Sequence, residues 1–293
     1  KIIILYIKKK YKVIVVTSAM SGVTNDLIKK AEKISKNFPN SERDVLLSTG
    51  EQMASALIAG KLCDLGFNSR SWMSWQIPIV TRGNYSAARI IKIGTNQLKK
   101  YLKKGGTPII TGFQGLNKES RLTTLERGGS DASAIMLAKF FKAKRCIIYT
   151  DVDGVYTTDP NLTKKAKKIK ALSYEEMLEM SSLGAKVMQP ASIQDAKLNK
   201  VKIDVKSSFT NKTGTQIIGR KKIKDTNIIR GVSFTKNNAK VSLLGVKDKP
   251  GVAAAIFEPL YKNSINVDMV VQNISSDGKE TDLTFTIKSD DLL

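Results

Sequence analysis

Histidine is missing altogether from these 293 residues, and with it go Ser-His-Asp and Cys-His nucleophile systems and the usual imidazole metal ligands. Cysteine is nearly absent too. Cys63 and Cys146 stand far apart with no metal-like spacing, so neither a disulfide framework nor a zinc site is supported, and both read as core thiols. No apolar run approaches the roughly 18 residues that span a bilayer. The opening Lys1–Ile7 is too short for a signal-peptide core followed by a cleavage site, so a soluble, cytoplasmic protein with no membrane partner is expected. Aromatics make up only 6%, and arginine supplies nine of the 49 basic residues, although the formal net charge is +23. Base-edge recognition leans on arginine and single-strand binding on aromatic stacking. The charge therefore reads as lysine-rich solvated faces, and no nucleic-acid partner is expected. What remains is chemistry that needs no imidazole base, in a positive field that would suit a small polyanionic substrate.

With 41% hydrophobic content, the chain can bury one large domain or a large and a small one. Val13–Val16 is a β-branched apolar run, followed by small residues and a periodic stretch from Asn25 to Ser35: strand, turn, helix. The same order recurs. Pro108–Ile110 predicts a strand running into Thr111-Gly112-Phe113, Ser130–Phe141 a helix, and Cys146–Thr150 another buried strand. Helices are predicted over Ser173–Gly184 and Pro190–Leu198 and a strand over Val201–Val205, with a polar, lysine-rich stretch from Asn211 to Asn227. Alternating strands and helices predict an α/β fold, in which ligands sit at the carboxyl ends of the strands. A larger domain is expected over 1–227 and a smaller one over 228–293. There the strand Val241–Leu244, helix Gly251–Asn263 and strands Val267–Gln272 and Thr281–Ile287 make β-α-β-β, half of a split βαβ module.

Five segments carry candidate chemistry. Arg127-Gly128-Gly129-Ser130-Asp131 opens a helix: glycines let amides approach an anion, Ser130 can cap, and Arg127 offers a fork for carboxylate or phosphate. A capped turn with a surface arginine would read the same way. Thr150–Pro160 crowds three aspartates and several hydroxyls at a strand's carboxyl end, suiting a nucleotide, its ribose and Mg²⁺, or else a plain Asx-rich turn. No Walker or protein-kinase motif occurs. Thr49-Gly50-Glu51-Gln52 is read as opening a helix, where Glu51 answers the dipole or binds a ligand's ammonium. Ser18–Thr24 offers hydroxyls at the first strand's end, and Gly184-Ala185-Lys186 puts a lysine just past a helix.

In this order, these residues resemble the aspartate kinase (aspartokinase) branch of the amino-acid kinase family with a C-terminal ACT regulatory domain. The resemblance rests on VVTSAMSGVTN at Val15–Asn25, STGEQMASALIA at Ser48–Ala59, ITGFQG at Ile110–Gly115, RGGSDASA at Arg127–Ala134, YTDVDGVYTTDP at Tyr149–Pro160, and LGVKDKPGVAAAIF with VDMVVQNIS. It implies a three-layer αβα sandwich with a mostly parallel sheet plus a ferredoxin-like βαββ ACT module. It also implies transfer of the γ-phosphoryl of ATP, with Mg²⁺, to the side-chain carboxylate of L-aspartate. That would be the first step toward lysine, threonine and methionine, with feedback control by lysine and/or threonine through the ACT region. By the same resemblance Arg127, Asp131 and Lys186 would be catalytic, and Thr24, Glu51, Phe113, Arg127, Gly128 and Ser130 would hold the substrate. Ser18, Thr150, Asp151, Tyr156, Thr157, Thr158, Asp159 and Lys186 would hold the nucleotide. Asp248, Gly251, Ala253, Asn266, Asp268 and Gln272 would grip the effector between paired ACT modules of a homo-oligomer. No protein metal site is implied. The sequence departs from the family pattern at Glu126, where glycine is usual, at Asn161 for arginine, and at Gln189-Pro190-Ala191 for a His-Pro-Arg type sequence. The family's opening Lys-Phe-Gly-Gly-Thr-Ser strand and the second half of the ACT module do not occur, so the chain is expected to be truncated at both ends. Alternatives are a non-catalytic regulatory or amino-acid-binding homologue, and a sibling kinase acting on glutamate or acetylglutamate.

Overall fold

The computed structural model describes every residue except 186, 221, 222, 224–228, 235, 236, 248, 264, 275–279 and 293. The expected domain boundary at Asn227 and two candidate site residues, Lys186 and Asp248, thus lie outside the described residues. The chain divides into two compact units, Lys1–Ser233 and Phe234–Leu293.

In the first unit, β1 (Val15–Thr17) and β2 (Ser69–Trp72) flank β5 (Thr107–Thr111), all parallel. Every residue of β5 is buried, and successive side chains leave a strand on opposite faces. Ile109 accordingly packs with Ala59 and Leu62 of α3 (Asn40–Asp64) and with Ile3 and Ile4 of α1 (Ile2–Lys8). Ile110 packs on the other side with Leu98 of α4 (Asn96–Lys103) and Met136 and Leu137 of α5 (Gly129–Phe140). Helices on both faces of a parallel sheet make the expected three-layer α/β architecture.

A four-stranded sheet follows, in the order β8 (Cys146–Thr150), β10 (Ile203–Ser207), β11 (Thr215–Ile218), β9 (Ala171–Ser173). Strand β8 is parallel to β10, and β11 to β9, while β10 and β11 are antiparallel. Its core joins Ile148, Leu172, Ile203 and Ile217 to Met177 of α6 (Tyr174–Ser182) and Ile193 of α7 (Pro190–Leu198). Helix α6 starts with a capping box: the Ser173 hydroxyl accepts from the Glu176 amide (3.0 Å) and the Glu176 carboxylate from the Ser173 amide (2.7 Å). Helix α7 starts on Pro190, whose missing N–H costs nothing there. A smaller sheet, β4 (Arg89–Ile93), β3 (Ile79–Arg82), β6 (Gln114–Leu116), β7 (Leu122–Thr124), leads into α5.

Three expectations are corrected. Cys63, read as a core thiol, is exposed, while Cys146 is buried as expected. The helix read as opening at Thr49 begins at Asn40, so Glu51 sits mid-helix in α3 and answers no dipole. The polar stretch after Asn211 contains β11.

The second unit is β12 (Asn238–Lys247), α8 (Val252–Lys262), β13 (Val270–Ile274) and β14 (Glu280–Lys288), an antiparallel sheet in the order β12-β14-β13. Alternate residues Leu283, Phe285 and Ile287 of β14 are buried, with Phe257 of α8 edge-on to Phe285 at 5.4 Å between ring centroids. This is the expected βαββ arrangement. Among the described residues, no helix is long and apolar enough to cross a membrane.

Candidate active site

The parallel strands β1 and β5 both end at one edge, where β1 runs into Ser18–Gly22 and β5 into Gly112-Phe113. Helix α3 passes close beneath because Gly50 has no side chain: a Cβ there would stand 2.8 Å from the Ala19 Cβ and 3.3 Å from Cγ1 of Val23. Val23 and Thr24 open α2 (Val23–Ile34). One residue on, Glu51 turns inward and is only 4% exposed. Its Oε1 accepts the Ala19 N–H at 3.0 Å. Its Oε2 is buried with no hydrogen-bond partner among the described residues. Burial pushes the carboxyl up to about 7, against a smaller opposing pull from the Ala19 N–H. A buried carboxylate oxygen left unbonded in a cleft is a natural seat for a cation or an N–H donor.

The opposite wall is the start of α5. Gly112 accepts no side chain: a Cβ there would lie 2.7 Å from the Thr17 carbonyl and 2.9 Å from the Ser130 Oγ. This contact seats Ser130 against the end of β1. Phe113 lies at φ +66°, its amide donating to the Ser133 hydroxyl (3.1 Å) and its carbonyl accepting from the Leu125 amide (2.9 Å). Gly128 caps α5 at φ +80°, and a Cβ on it would stand 2.5 Å from Cγ of Gln189. Ser192 of α7 donates its hydroxyl to the Gly128 carbonyl at 3.2 Å. The amides of Gly129 and Ser130 open α5 at the positive end of its dipole, while that of Asp131 donates to the Gly128 carbonyl at 3.0 Å. Asp131, in that first turn, is desolvated and its carboxyl is pushed up to about 6.

Thus Glu51, Phe113, Gly128 and Ser130 lie around the ends of β1 and β5, and Thr24 stands in the helix that follows β1. Arg127 is exposed and lines a groove of about 100 Å³ with Arg89, Glu126 and Asp195. Among the described residues it makes no ion pair, and no contact joins its side chain to Glu51. Burial raises the Asp195 carboxyl in that groove, and Arg89 opposes the shift.

A second cavity, of about 260 Å³, opens at the carboxyl ends of β8 and β10, lined by Asp151, Asp153, Tyr156, Ser207, Phe209 and Lys212. The Thr150 hydroxyl donates to Asp151 at 2.9 Å, and the Thr150 carbonyl accepts the Ser208 amide at 2.8 Å, which ties the two strand ends together. Asp153 accepts the Tyr156 hydroxyl at 2.6 Å and faces Lys168 at 3.4 Å and Lys212 at 3.6 Å, which together hold its carboxyl below the usual range. Phe209 leaves its ring 81% exposed, a flat apolar surface at the rim.

Other candidate nucleotide residues serve the loop itself. The Thr157 hydroxyl accepts the Lys167 amide (3.0 Å), and Asp159 accepts the Asn161 amide (2.8 Å) in an Asx turn. Thr158 is partly buried between them, and Ser18 is exposed at the end of β1, away from this cavity's lining. Ser207, Phe209 and Lys212 went unread in the sequence. The available signal was that β10 ends beside β8, so whatever follows it shares the same mouth. In the ACT-type unit, Gly251 caps α8 at φ +94° with open space around it. Ala253, Asn266, Asp268 and Gln272 are exposed there, with the Asp268 amide donating to the Thr286 carbonyl at 3.0 Å. No three His, Cys, Asp or Glu side chains among the described residues converge as a metal site.

Comparison with known proteins identifies the family and the fold. Residues 1–207 match the model of the amino acid kinase family, and residues 241–293 match an ACT domain. An aspartokinase of Helicobacter pylori is 44% identical over 285 residues, spanning 96% of this chain and 70% of that protein. Among solved structures, E. coli aspartokinase III in complex with aspartate and ADP (R-state) superposes with a TM-score of 0.78 at 25% identity, covering 94% of this chain and 72% of that one. The same enzyme in complex with lysine and aspartate (T-state) gives 0.77 at 25% identity, with the same 94% and 72% coverage.

Proposed function

The chain belongs to the amino acid kinase family, in its aspartokinase branch and with an ACT domain following, and from this we propose that it transfers the γ-phosphoryl group of ATP to the side-chain carboxylate of L-aspartate, forming 4-phospho-L-aspartate and ADP. The observation that carries the reading is the orphaned, buried Oε2 of Glu51 opposite the amino end of α5. An amino acid presents an ammonium and a carboxylate on one carbon, and this cleft offers an acceptor for the first and an anion site for the second.

The chemistry is compatible with the missing histidine. A side-chain carboxylate with a reference pKa near 3.9 is already ionised at neutral pH and needs no general base. The protein's work is then to align two anions and to neutralise charge. Glu51 takes the ammonium, with Thr24 beside it. Arg127, Ser130 and the first amides of α5 take the carboxylate, and Phe113 and Gly128 wall the site. Asp131 orders the transferring group and the cations that accompany it. Mg²⁺, if it accompanies the nucleotide, would supply charge neutralisation there, and Asp131 would be the residue to order it. The cavity at β8 and β10 receives the nucleotide, with Thr150, Asp151 and Tyr156 on one side and Ser207 and Phe209 on the other. By resemblance to the family, Lys186 and the Thr157–Asp159 turn would serve the nucleotide as well, whereas Ser18, at the end of β1, lies away from this cavity.

The ACT-type unit binds lysine and/or threonine at Asp248, Gly251, Ala253, Asn266, Asp268 and Gln272. Among the described residues, β12 and β13 each keep one unpaired edge, which suits pairing with a second copy. Trapping with hydroxylamine in the presence of ATP and Mg²⁺ tests the reading. Hydroxamate that forms only when L-aspartate is present supports it, whereas a folded sample that forms none, or forms it equally with L-glutamate, overturns it.

A further inference from the structure

Helix α3 buries an unusual face. Alongside the apolar Leu47, Ala54, Ala59 and Leu62 it turns Asp44, Ser48, Glu51 and Ser55 inward, all of them shielded from solvent. Glu51 belongs to the site described above. Asp44, two helical turns earlier on the same side, does not touch that site, yet it is the most heavily bonded carboxylate of the helix. Its Oδ2 accepts the backbone N–H of Ser86 (2.9 Å) and of Thr124 (2.7 Å). Its Oδ1 accepts the hydroxyls of the same two residues, at 2.8 and 2.7 Å. No cation pairs with it among the described residues.

A carboxylate buried without a counter-ion is held only by the donors that surround it, and well-packed apolar groups would join the elements at a smaller desolvation cost. What four directional bonds add is position. Thr124 is the last residue of β7 and stands three residues before Arg127. Its carbonyl accepts the Ala88 amide at 3.1 Å, and the next amide, that of Leu125, bonds to Phe113 at 2.9 Å. The strand end from which Arg127 departs is therefore fixed to α3, to the β3–β4 turn and to Phe113 at once. Ser86, the other residue bound to Asp44, is held at φ +64°, a region a non-glycine residue enters only when its surroundings enforce it.

Resting on the proposed aspartate site, we infer that Asp44 is a positioning residue: through Thr124 it fixes the strand end that carries Arg127 relative to Glu51 on the same helix, and so sets the spacing between the groups that receive the two charged ends of the substrate. A rigid helix carries both carboxylates about 10 Å apart along its axis. Loosening Asp44 lets the Arg127 end drift while Glu51 stays in place. The nucleotide cavity at β8 and β10 contains none of these residues.

The test uses the full chain with Asp44→Asn, Thr124→Val, Thr124→Ser and Ser86→Ala, each checked for folding by circular dichroism. Asp44→Asn is expected to raise the KM for L-aspartate about tenfold, and Thr124→Val roughly threefold to tenfold, with the KM for MgATP within about twofold of the parent. Thr124→Ser, which keeps the hydroxyl, restores the parent value. Ser86→Ala, on the arm that leads away from Arg127, changes either KM by less than about twofold. Variants that lose thermal stability while both KM values stay put or rise together overturn the inference. Should Asp44→Asn fail to fold, the Thr124→Val and Thr124→Ser pair decides it. A parent chain that turns over L-aspartate, with the variants unchanged, sinks this inference alone. A parent that neither turns over nor binds L-aspartate sinks the functional reading together with it.

Discussion

Glu51 keeps a carboxylate oxygen out of water with nothing bonded to it among the described residues, and two pH effects of calculable sign follow. Its ordinary value of 4.5 is pushed up to about 7 by burial. Between these limits the folded chain holds a proton that the unfolded chain has released, so Glu51's contribution to stability is full below 4.5, falls as pH rises, and is gone above about 7. Asp131 acts in the same direction between 3.8 and about 6. The substrate ammonium needs the opposite state, an ionised Glu51. The kcat/KM for L-aspartate is therefore expected to rise with pH through about 7, and Glu51→Gln to flatten that rise while lowering affinity at least tenfold, roughly the value of a charged hydrogen bond. A pH profile of kcat/KM for both proteins checks this, and an unchanged slope in Glu51→Gln would remove Glu51 from the binding step. Gly128 is the second sensitive point. At φ +80°, alanine pays about 1–2 kcal/mol for its backbone conformation alone, and its Cβ would meet Cγ of Gln189 at 2.5 Å. Gly128→Ala should lower the urea midpoint and raise the KM for aspartate together, because the same turn caps α5.

Elements were legible wherever their burial was apolar. Strand β8 and helix α7 fall at the positions their sequences predict, since Cys146–Thr150 is continuously apolar up to its last residue and Pro190 marks a helix start. Helix α3 was misread because its buried face is polar: with Asp44, Ser48, Glu51 and Ser55 inside, no apolar stripe extends back from Thr49 to Asn40. The glycines of RGGSD were read as letting amides approach an anion; that Gly128 stands against Gln189, and Gly112 against Thr17, are tertiary facts. Strand β11 escaped notice because it is four residues inside a lysine-rich stretch, and only its pairing with β10 and β9 makes it a strand. It nonetheless supports the nucleotide loop. The Thr215 hydroxyl, fully buried, accepts the Val155 amide at 2.8 Å and donates to the Ile169 carbonyl at 2.6 Å, bracing both legs of the loop that carries Asp151–Pro160. Thr215→Val leaves that amide unsatisfied, a loss of about 1–3 kcal/mol. The expected result is a several-fold rise in the KM for MgATP with the KM for aspartate unchanged; equal changes in both would mean the bond serves general stability only.

At the scale of the whole molecule the net charge of +23 acts on the two substrates unequally. MgATP arrives as a polyanion and L-aspartate as a monoanion, so a diffuse positive field enriches the nucleotide at its cavity more strongly. The lysines that make this field are spread over exposed faces, and among the described residues Lys168 and Lys212 come close to the cavity, where Asp153 already engages them. Their long-range attraction is screened over about 8 Å at physiological ionic strength and about 3 Å at 1 M. Raising KCl from about 0.05 to about 0.5 M should therefore increase the KM for MgATP several-fold more than the KM for L-aspartate, with kcat little altered. The Glu51 interaction is buried and escapes this screening, so the aspartate constant serves as the internal control. A ratio of the two constants that stays flat across the salt series would mean that the lysine surplus is solvated charge alone, and that the nucleotide is recognised by the short-range contacts around Asp151, Tyr156 and Phe209.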